Sequence, residues 1–186
     1  GFCGLCPEAV VDVPGRCFPV ETEHIELPDE PTTIRNDVVR RPKKRKEFDV
    51  EPYLGVLRRI EEGTGADERG DVLIFVPGAW EIEALVGAVS EFAARSKRWI
   101  ALPLHSQLPL EQQDKVFDIA PQGVRKVIVS TNIAETSVTI DGVRFVLDSG
   151  KMKGLDVDAA SSVRHLAERW VSQASAEQRK GRAGRT

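Results

Sequence analysis

Short, continuous apolar runs alternate with segments of helical periodicity over most of the chain. Apolar residues recur every three or four positions in three segments, which predicts helices over Pro52 to Ile60, Ile82 to Phe92 and Pro109 to Phe117. The apolar runs predict buried strands over Asp71 to Val76, Trp99 to Leu104, Lys126 to Thr131 and Val143 to Asp148. Strands that are apolar at nearly every position are typical of a parallel sheet with helices on both faces. We therefore predict an α/β domain of this class.

The ends of the predicted strands indicate where a ligand would bind. In open parallel sheets, ligands lie beyond the carboxyl ends of the strands. Those ends carry Pro77-Gly78, His105-Ser106 and Thr131-Asn132. Asn132 and Glu135 have the spacing of a capping box, so we expect a short helix whose first N–H groups suit a phosphate. A plain strand-to-helix connection explains the same spacing.

Residues 1–48 differ in composition from the rest of the chain, with six prolines that interrupt any periodicity. Residues 35–46 carry seven basic groups and one acidic group, although the whole chain has a net charge of −3. We interpret this run as a solvated linker, and a nuclear-targeting or nucleic-acid patch is the alternative. Cys3, Cys6 and Cys17 are too few for a disulfide framework, and metal binding by them is a weak alternative.

The length of 186 residues suits one domain with an extension. No run of about 18 apolar residues occurs, so no membrane-spanning helix is expected. No signal peptide is visible, and the odd number of cysteines fits a reducing compartment. We expect a segment of a longer protein of the nucleus, the cytoplasm or both.

The segment QRKGRAGR, Gln178 to Arg185, carries the strongest candidate chemistry. Arg182 and Arg185 are three positions apart, so on a helical turn they project to one side, and Gly181 leaves room for close approach. Two guanidinium groups suit a transferring phosphoryl group, whose charge spreads over several oxygens. From these residues alone, a solvated basic tail is the alternative.

Together with TNIAETSVTIDG at 131–142, this segment resembles motifs V and VI of the DEAH-box RNA helicases in content, order and separation. LIFVPGAWEI at 73–82 resembles motif IV, and LPLHSQLPLEQQDKVF at 102–117 resembles the family segment that follows it. PGRCFPVE at 14–21 resembles the stretch that joins the two RecA-like lobes of these enzymes, and the match is poorest over 27–48. ERGDVLIF at 68–75, RWIALPLHS at 98–106 and SQASAEQRKGRAGR at 172–185 resemble the branch of the family that is associated with nonsense-mediated mRNA decay.

The resemblance implies a RecA-like second lobe over 49–186, preceded by the end of a first lobe and the connection at 1–26 and by an insertion at 27–48. It also implies a β-hairpin at about 144–171, with strands at Val143 to Asp148 and roughly Ser161 to Trp170. Neither GxxxxGK[ST] nor DEAH occurs in the sequence. The family holds ATP between two lobes, and its Mg²⁺ mainly on the first, so this chain is expected to be inactive alone.

The resemblance also implies a role for individual residues. Arg182 and Arg185 match the arginine fingers that stabilise charge on the γ-phosphate, and Gln178 matches the residue that places the attacking water. The nucleotide-binding positions are Phe117, which would stack on adenine, together with Thr139, Asp141 and Gly181. A core aromatic is the alternative for Phe117. The positions that would touch the RNA sugar–phosphate backbone are Ser106, Thr131, Asn132 and Ser137.

The implied partners are single-stranded RNA or ribonucleoprotein, the first lobe and C-terminal domains of the same chain, and mRNA-decay factors. The second hypothesis is a helicase-like scaffold that binds RNA or protein and has little ATPase activity. The presence of Gln178, Arg182 and Arg185 favours the enzyme, because a scaffold has no chemical need for arginine fingers.

Overall fold

The computed structural model describes residues 18–26, 48–65, 68–136, 138–157 and 164–185. The three cysteines, Ser137 and the basic run at 35–46 lie outside these residues. The helices are α1 (Glu51–Gly63), α2 (Ala79–Ser96), α3 (Leu110–Asp114), α4 (Ile133–Thr136) and α5 (Gln173–Lys180), with 3₁₀ turns at Lys115–Phe117 and Ala183–Arg185. The strands are β1 (Asp71–Phe75), β2 (Trp99–Leu104), β3 (Arg125–Ser130), β4 (Val143–Asp148), β5 (Lys151–Val157) and β6 (Arg164–Trp170).

The first four strands form one parallel sheet in the order β2-β3-β1-β4, and β5 pairs with β6 as a separate antiparallel hairpin. Every residue of β1 and β3 is buried, because these central strands are covered on both faces. The predicted α/β class and all four predicted strand positions are confirmed.

Alternating residues of the central strands build two hydrophobic cores, one on each face of the sheet. Val72 and Ile74 of β1 face the core formed with α1 and α2, which buries Leu57, Ile82 and Leu85. On the opposite face, Leu73 and Phe75 pack with residues of β3, α4 and the 3₁₀ turn: Ile128, Ala134 and Val116. Because successive side chains of a strand point to opposite faces, a strand covered on both sides contributes to both cores and is apolar at nearly every position.

Strand β2 differs from its prediction as a strand covered on both faces. It lies at the edge of the sheet, and Ile100 is 36 % exposed while Ala101, Leu102 and Pro103 are half-buried. The run WIALPL has the same apolar composition as a central strand, so composition does not distinguish an edge from the centre. Pro103 fits an edge, because proline cannot donate a ladder hydrogen bond.

The hairpin also differs from its prediction. Val143 to Asp148 pairs in parallel with β1 and does not form the first hairpin strand, which is Lys151–Val157. A turn separates the two: Gly150 has a φ of 69°, and its N–H donates to Asp148 Oδ1 at 2.8 Å. The sequence KMKGLDV contains no continuous apolar run, and Lys151 to Gly154 are half-buried while Leu155 and Asp156 are exposed, so periodicity does not reveal this strand.

One ion pair attaches the hairpin to the sheet's helical layer. Lys153 Nζ of β5 lies 2.8 and 2.9 Å from the two carboxylate oxygens of Glu81 in α2, and Glu81 is buried. The ammonium and the carboxylate also surround Gly78, where an added Cβ would lie 2.4 Å from Lys153 Nζ. The end of β1, the start of α2 and the hairpin therefore meet at one point.

Lys153→Met should loosen the hairpin, because it leaves the buried Glu81 carboxylate without this partner. We expect the free energy of hairpin opening to fall by about 2 kcal/mol, measured as faster amide hydrogen exchange over 151–157. Arg58→Met removes an exposed partner of Glu51 in α1 and should leave this exchange unchanged. Equal exchange in wild type and Lys153→Met would contradict the attachment.

Among the described residues, no helix is both long and apolar enough to cross a lipid bilayer.

Candidate functional site

The carboxyl ends of the strands bring three predicted RNA-binding residues to one edge. Thr131 donates its backbone N–H to Leu104 O at 3.3 Å, so the segments after β2 and β3 lie side by side. Ser106 and Asn132 are exposed there, and Thr131 is half-buried. The predicted juxtaposition of the loops after β1, β2 and β3 is confirmed, since Val76 N–H also donates to Ser130 O at 2.9 Å. The fourth predicted residue, Ser137, lies outside the described residues.

The short helix expected after Asn132 forms, as α4 at Ile133–Thr136. Its first turn closes through the backbone, where Glu135 N–H donates to Asn132 O at 3.0 Å. The Glu135 carboxylate, however, is buried and accepts a hydrogen bond from Arg179 at 3.0 Å. The capping-box interpretation of Glu135 is therefore wrong: this side chain joins α4 to α5.

The segment 131–142, which we call the crossover, runs from the carboxyl ends of the strands back to their amino ends. Parallel pairing of β3 and β4 with β1 requires this return. The crossover ends at Gly142, whose carbonyl accepts the N–H of Asp71, the first residue of β1, at 2.8 Å. Asp141 is exposed at this end, as is Thr139 just before it.

The predicted RNA-binding residues thus lie at the carboxyl end of the sheet, whereas Thr139 and Asp141 of the nucleotide-binding set lie at its amino end. Strands of six residues separate the groups by about 20 Å. Phe117 belongs to the amino-end group, because the residues on either side of it are bound by Lys126 at the start of β3. Phe117 is 51 % exposed, so it is not a core aromatic. The rule that ligands bind beyond the carboxyl ends of parallel strands therefore predicts the position of Ser106, Thr131 and Asn132 only.

Arg182 ties the crossover to the end of α5. Its guanidinium donates to Val138 O at 2.9 Å and also to Glu135 O, and the residue is only 7 % exposed. The Arg182 side chain lies against the crossover, and the projection of Arg182 and Arg185 to one side stays a prediction. Arg185 stands in the last 3₁₀ turn, and its side chain lies outside the described residues.

The remaining predicted residues of this segment lie on or just after α5. Gln178 is exposed on the helix, and Gly181 ends it, donating its N–H to Glu177 O at 2.9 Å. An added Cβ on Gly181 would lie 3.3 Å from that carbonyl oxygen, so the glycine allows a tight helix end. At the other end, Ser172 caps α5 by accepting the N–H of Ser175 at 3.1 Å.

The sequence interpretation missed Arg179, the most deeply buried charge of the site. It is 1 % exposed, and its guanidinium donates to Glu135 at 3.0 Å and to Asp148 at 2.6 Å. The same group lies over the Phe75 ring, 4.8 Å from its centroid. Arg179 therefore fastens α5 to α4, to the end of β4 and to the core. The sequence QRKGRAGR does not show which of its arginines is buried and which is exposed to solvent.

Residues 18–20 pass over the final 3₁₀ turn and form a strap. Phe18 donates its N–H to Gly184 O at 2.9 Å, and an added Cβ on Gly184 would meet Phe18 O at 3.0 Å. Glu23 then pairs with Arg59 of α1 through two hydrogen bonds of 2.9 Å, and the guanidinium lowers the pKa of Glu23. The connecting segment is therefore fixed at two points.

Beside the strap lies an open cleft of about 620 Å³ at the amino end of the sheet. Arg69 and Arg144 line it, together with Gly70, Gly142 and Ala183. Arg144 also pairs with the exposed Glu68 at 2.9 Å. Nearby, burial lowers the pKa of the Arg125 guanidinium, with a smaller contribution from Arg98. The cleft is thus bordered by positive charge and adjoins the Asp141-Gly142 turn.

Among the described residues, no group of three or more His, Cys, Asp or Glu side chains is arranged to hold a metal ion.

Comparisons with known proteins identify the family. Residues 55–186 match the model of the helicase conserved C-terminal domain. The probable ATP-dependent RNA helicase DHX34 of Homo sapiens is 52 % identical over 177 residues, which cover 95 % of this chain and 15 % of that protein. The putative ATP-dependent RNA helicase DHX57 of Mus musculus is 46 % identical over 144 residues, covering 75 % of this chain and 10 % of that protein.

Solved structures support the same family. The crystal structure of the E. coli DExH-box NTPase HrpB superposes with a TM-score of 0.71 at 35 % identity, covering 92 % of this chain and 18 % of that one. The chain thus spans less than a fifth of the length of each of these proteins. The RecA-like fold and the family inferred from the motifs are both confirmed. The chain belongs to the DEAH-box family of RNA helicases, as the helicase conserved C-terminal domain that forms their second RecA-like lobe.

Proposed function

We propose that this lobe works within a longer, two-lobe enzyme that couples ATP hydrolysis to movement along, or remodelling of, single-stranded RNA. A single observation carries the proposal: the crossover is one continuous segment with predicted RNA-binding residues at one end and predicted nucleotide-binding residues at the other. Arg182 holds the middle of this segment through two of its carbonyls. A displacement of the crossover would therefore move both its predicted RNA-binding end and its predicted nucleotide-binding end.

The amino end of the sheet is suited to a nucleoside triphosphate. Arg69 and Arg144 border an open cleft next to Asp141 and Gly142, and arginine pairs well with phosphate. Phe117 offers an exposed ring on the same side, as a base needs for stacking. Here Arg182 and Arg185 would stabilise the γ-phosphate, Gln178 would orient the attacking water, and Thr139 and Asp141 would hold the sugar and phosphates. The bound Mg²⁺ would be held mainly by the first lobe.

The carboxyl end is suited to a nucleic-acid backbone. Ser106, Thr131 and Asn132 are short polar side chains on adjacent loops, and such groups commonly contact phosphate and sugar without reading base sequence. A motor that moves along RNA needs contacts of this kind. The two-lobe protein would also meet its own C-terminal domains and, given the branch of the family, factors of nonsense-mediated mRNA decay in the nucleus or cytoplasm.

The proposal is tested by ATP hydrolysis in the longer protein, with and without single-stranded RNA. We expect RNA to raise the turnover rate, and an Asn132→Ala, Thr131→Ala double variant to need several times more RNA for half-maximal stimulation. Arg58→Ala, which removes an exposed cation of α1, serves as the control. Protein that binds RNA but hydrolyses no ATP would favour the scaffold hypothesis instead.

A further inference from the structure

Two neighbouring strands begin with buried charges that no role above explains. Lys126 of β3 and Asp71 of β1 have side chains only 6 % and 13 % exposed, and Nζ lies 3.2 Å from Asp71 Oδ2. The other carboxylate oxygen, Oδ1, accepts the backbone N–H of Lys126 at 2.8 Å. Taking two charges out of water is costly, so such a pair indicates a demand for a particular geometry.

Lys126 uses the rest of its ammonium group on the segment that carries Phe117. Nζ donates to Val116 O at 2.7 Å and to Asp118 O at 2.8 Å, the carbonyls on either side of that residue. With Asp71, these acceptors match the three N–H donors of an ammonium group. One side chain therefore fixes the backbone before and after the exposed ring.

The Phe117 segment is the exposed end of a short helical stretch. It lies in a 3₁₀ turn that follows α3 directly, a conformation with weak hydrogen bonds, and neighbouring Lys115, Asp118 and Ile119 are exposed. Val116 is fully buried and anchors the turn to the core, but a single anchored residue does not set the direction of the next one. The two carbonyl contacts supply that second constraint.

Asp71 connects the same pair to the other part of the predicted nucleotide site. Its backbone N–H donates to Gly142 O at 2.8 Å, next to Asp141. Through Lys126 and Asp71, the ring that would meet the base and the turn that would meet the sugar and phosphates are held at a fixed separation.

We propose that Lys126, with Asp71 as its counter-ion, is a positioning residue for nucleotide binding. It acts through the carbonyls of Val116 and Asp118 and touches neither ATP nor the reacting atoms. Its effect is to preorganise the Phe117 ring for the base, which lowers the cost of ordering it when the nucleotide binds. This inference rests on the proposed function, in which Phe117 stacks on the base.

The test uses the longer two-lobe protein and an Asp71→Asn, Lys126→Met double variant. Changing both residues avoids a buried carboxylate without a partner, and the introduced amide oxygen can still accept the backbone N–H at position 126. We expect KM for ATP to rise about tenfold, the size of a lost base-stacking contact, with kcat changed by less than about twofold. The inhibition constant of tripolyphosphate, which has no base, should stay the same.

Lys153→Met is the matched control. Lys153 is also a lysine paired with a buried carboxylate, that of Glu81, but this pair lies at the start of α2, at the carboxyl end of the sheet. Its loss should destabilise the lobe without moving Phe117, so KM for ATP should stay close to the wild-type value. A rise in KM equal to that of the double variant would overturn the positioning role, since any destabilisation would then suffice.

Phe117→Ala separates this inference from the proposed function. If Phe117→Ala raises KM and adds nothing in the double-variant background, the positioning role is supported. If Phe117→Ala raises KM but the double variant does not, the positioning role of Lys126 is overturned and the stacking role stands. An unchanged KM in Phe117→Ala overturns the stacking role and the positioning role with it.

Discussion

Replacing Arg179 with methionine is expected to lower the free energy of unfolding by about 3–5 kcal/mol, a large part of the total stability of a typical domain. The guanidinium is 1 % exposed and pairs with Glu135 and Asp148. Methionine fills much of the same volume but leaves the Glu135 carboxylate, itself buried, without a cation. The measurement is urea-induced unfolding of the 186-residue chain, followed by circular dichroism.

Lys180→Met provides the control for that measurement. Lys180 is the next residue of α5 and pairs with Glu177 at 2.6 Å, but both side chains are substantially exposed. Exposed pairs of this kind contribute little, so the change should stay within about 0.5 kcal/mol. A loss within about 0.5 kcal/mol in Arg179→Met as well would contradict a stabilising role for its buried ion pairs.

An Arg182→Gln, Arg185→Gln double variant of the longer protein is expected to lose RNA-stimulated ATP turnover by about a thousandfold or more. Glutamine keeps hydrogen-bonding capacity but removes the charges that would stabilise the transferring phosphoryl group. Arg185→Gln alone should leave the RNA concentration for half-maximal binding almost unchanged, because Arg182 then keeps its contacts with the crossover. Single-turnover ATP hydrolysis at saturating RNA is the direct measurement.

Arg182 also holds the crossover in place, so the single variants Arg182→Gln and Arg185→Gln must be measured alongside the double variant. It binds the carbonyls of Glu135 and Val138, and Arg182→Gln alone should lower both stability and turnover. Arg185→Gln alone should lower turnover at unchanged stability if Arg185 acts as a finger. Lys180→Met, in the same basic segment, should retain wild-type turnover. Retained turnover in the double variant would refute the finger assignment.

The sequence predicted the central part of the fold well because burial on both faces leaves a continuous apolar run. Strands β1 and β3 are covered on both faces. Their sequences, DVLIFV and KVIVST, are therefore mostly apolar runs. The first hairpin strand was misplaced because KMKGLDV is only partly covered and contains no continuous apolar run. Its attachment to the lobe depends on the Lys153–Glu81 pair, whose partners are 72 positions apart and share no local pattern.

The site was predicted less completely, because its main electrostatic contacts join distant parts of the chain. Arg179 meets Glu135 across 44 positions, and Lys126 meets Asp71 across 55. One signal was available: Asp71 is the first residue and Lys126 the second residue of an apolar strand, and opposite charges at the starts of neighbouring buried strands suggest an ion pair. Family resemblance supplied the residues that would touch ligands, whereas the residues that hold those in place emerged only from the fold.

The strap across Gly184 has a consequence for how the two lobes would find each other. The chain is attached to this lobe at Gly184 and again at Arg59, so residues 18–23 lie along its surface beside the final 3₁₀ turn. A partner domain attached there would experience an effective concentration in the millimolar range or above, as short tethers give. Contact between the lobes could then be individually weak, and therefore quickly reversible, as repeated opening and closing requires.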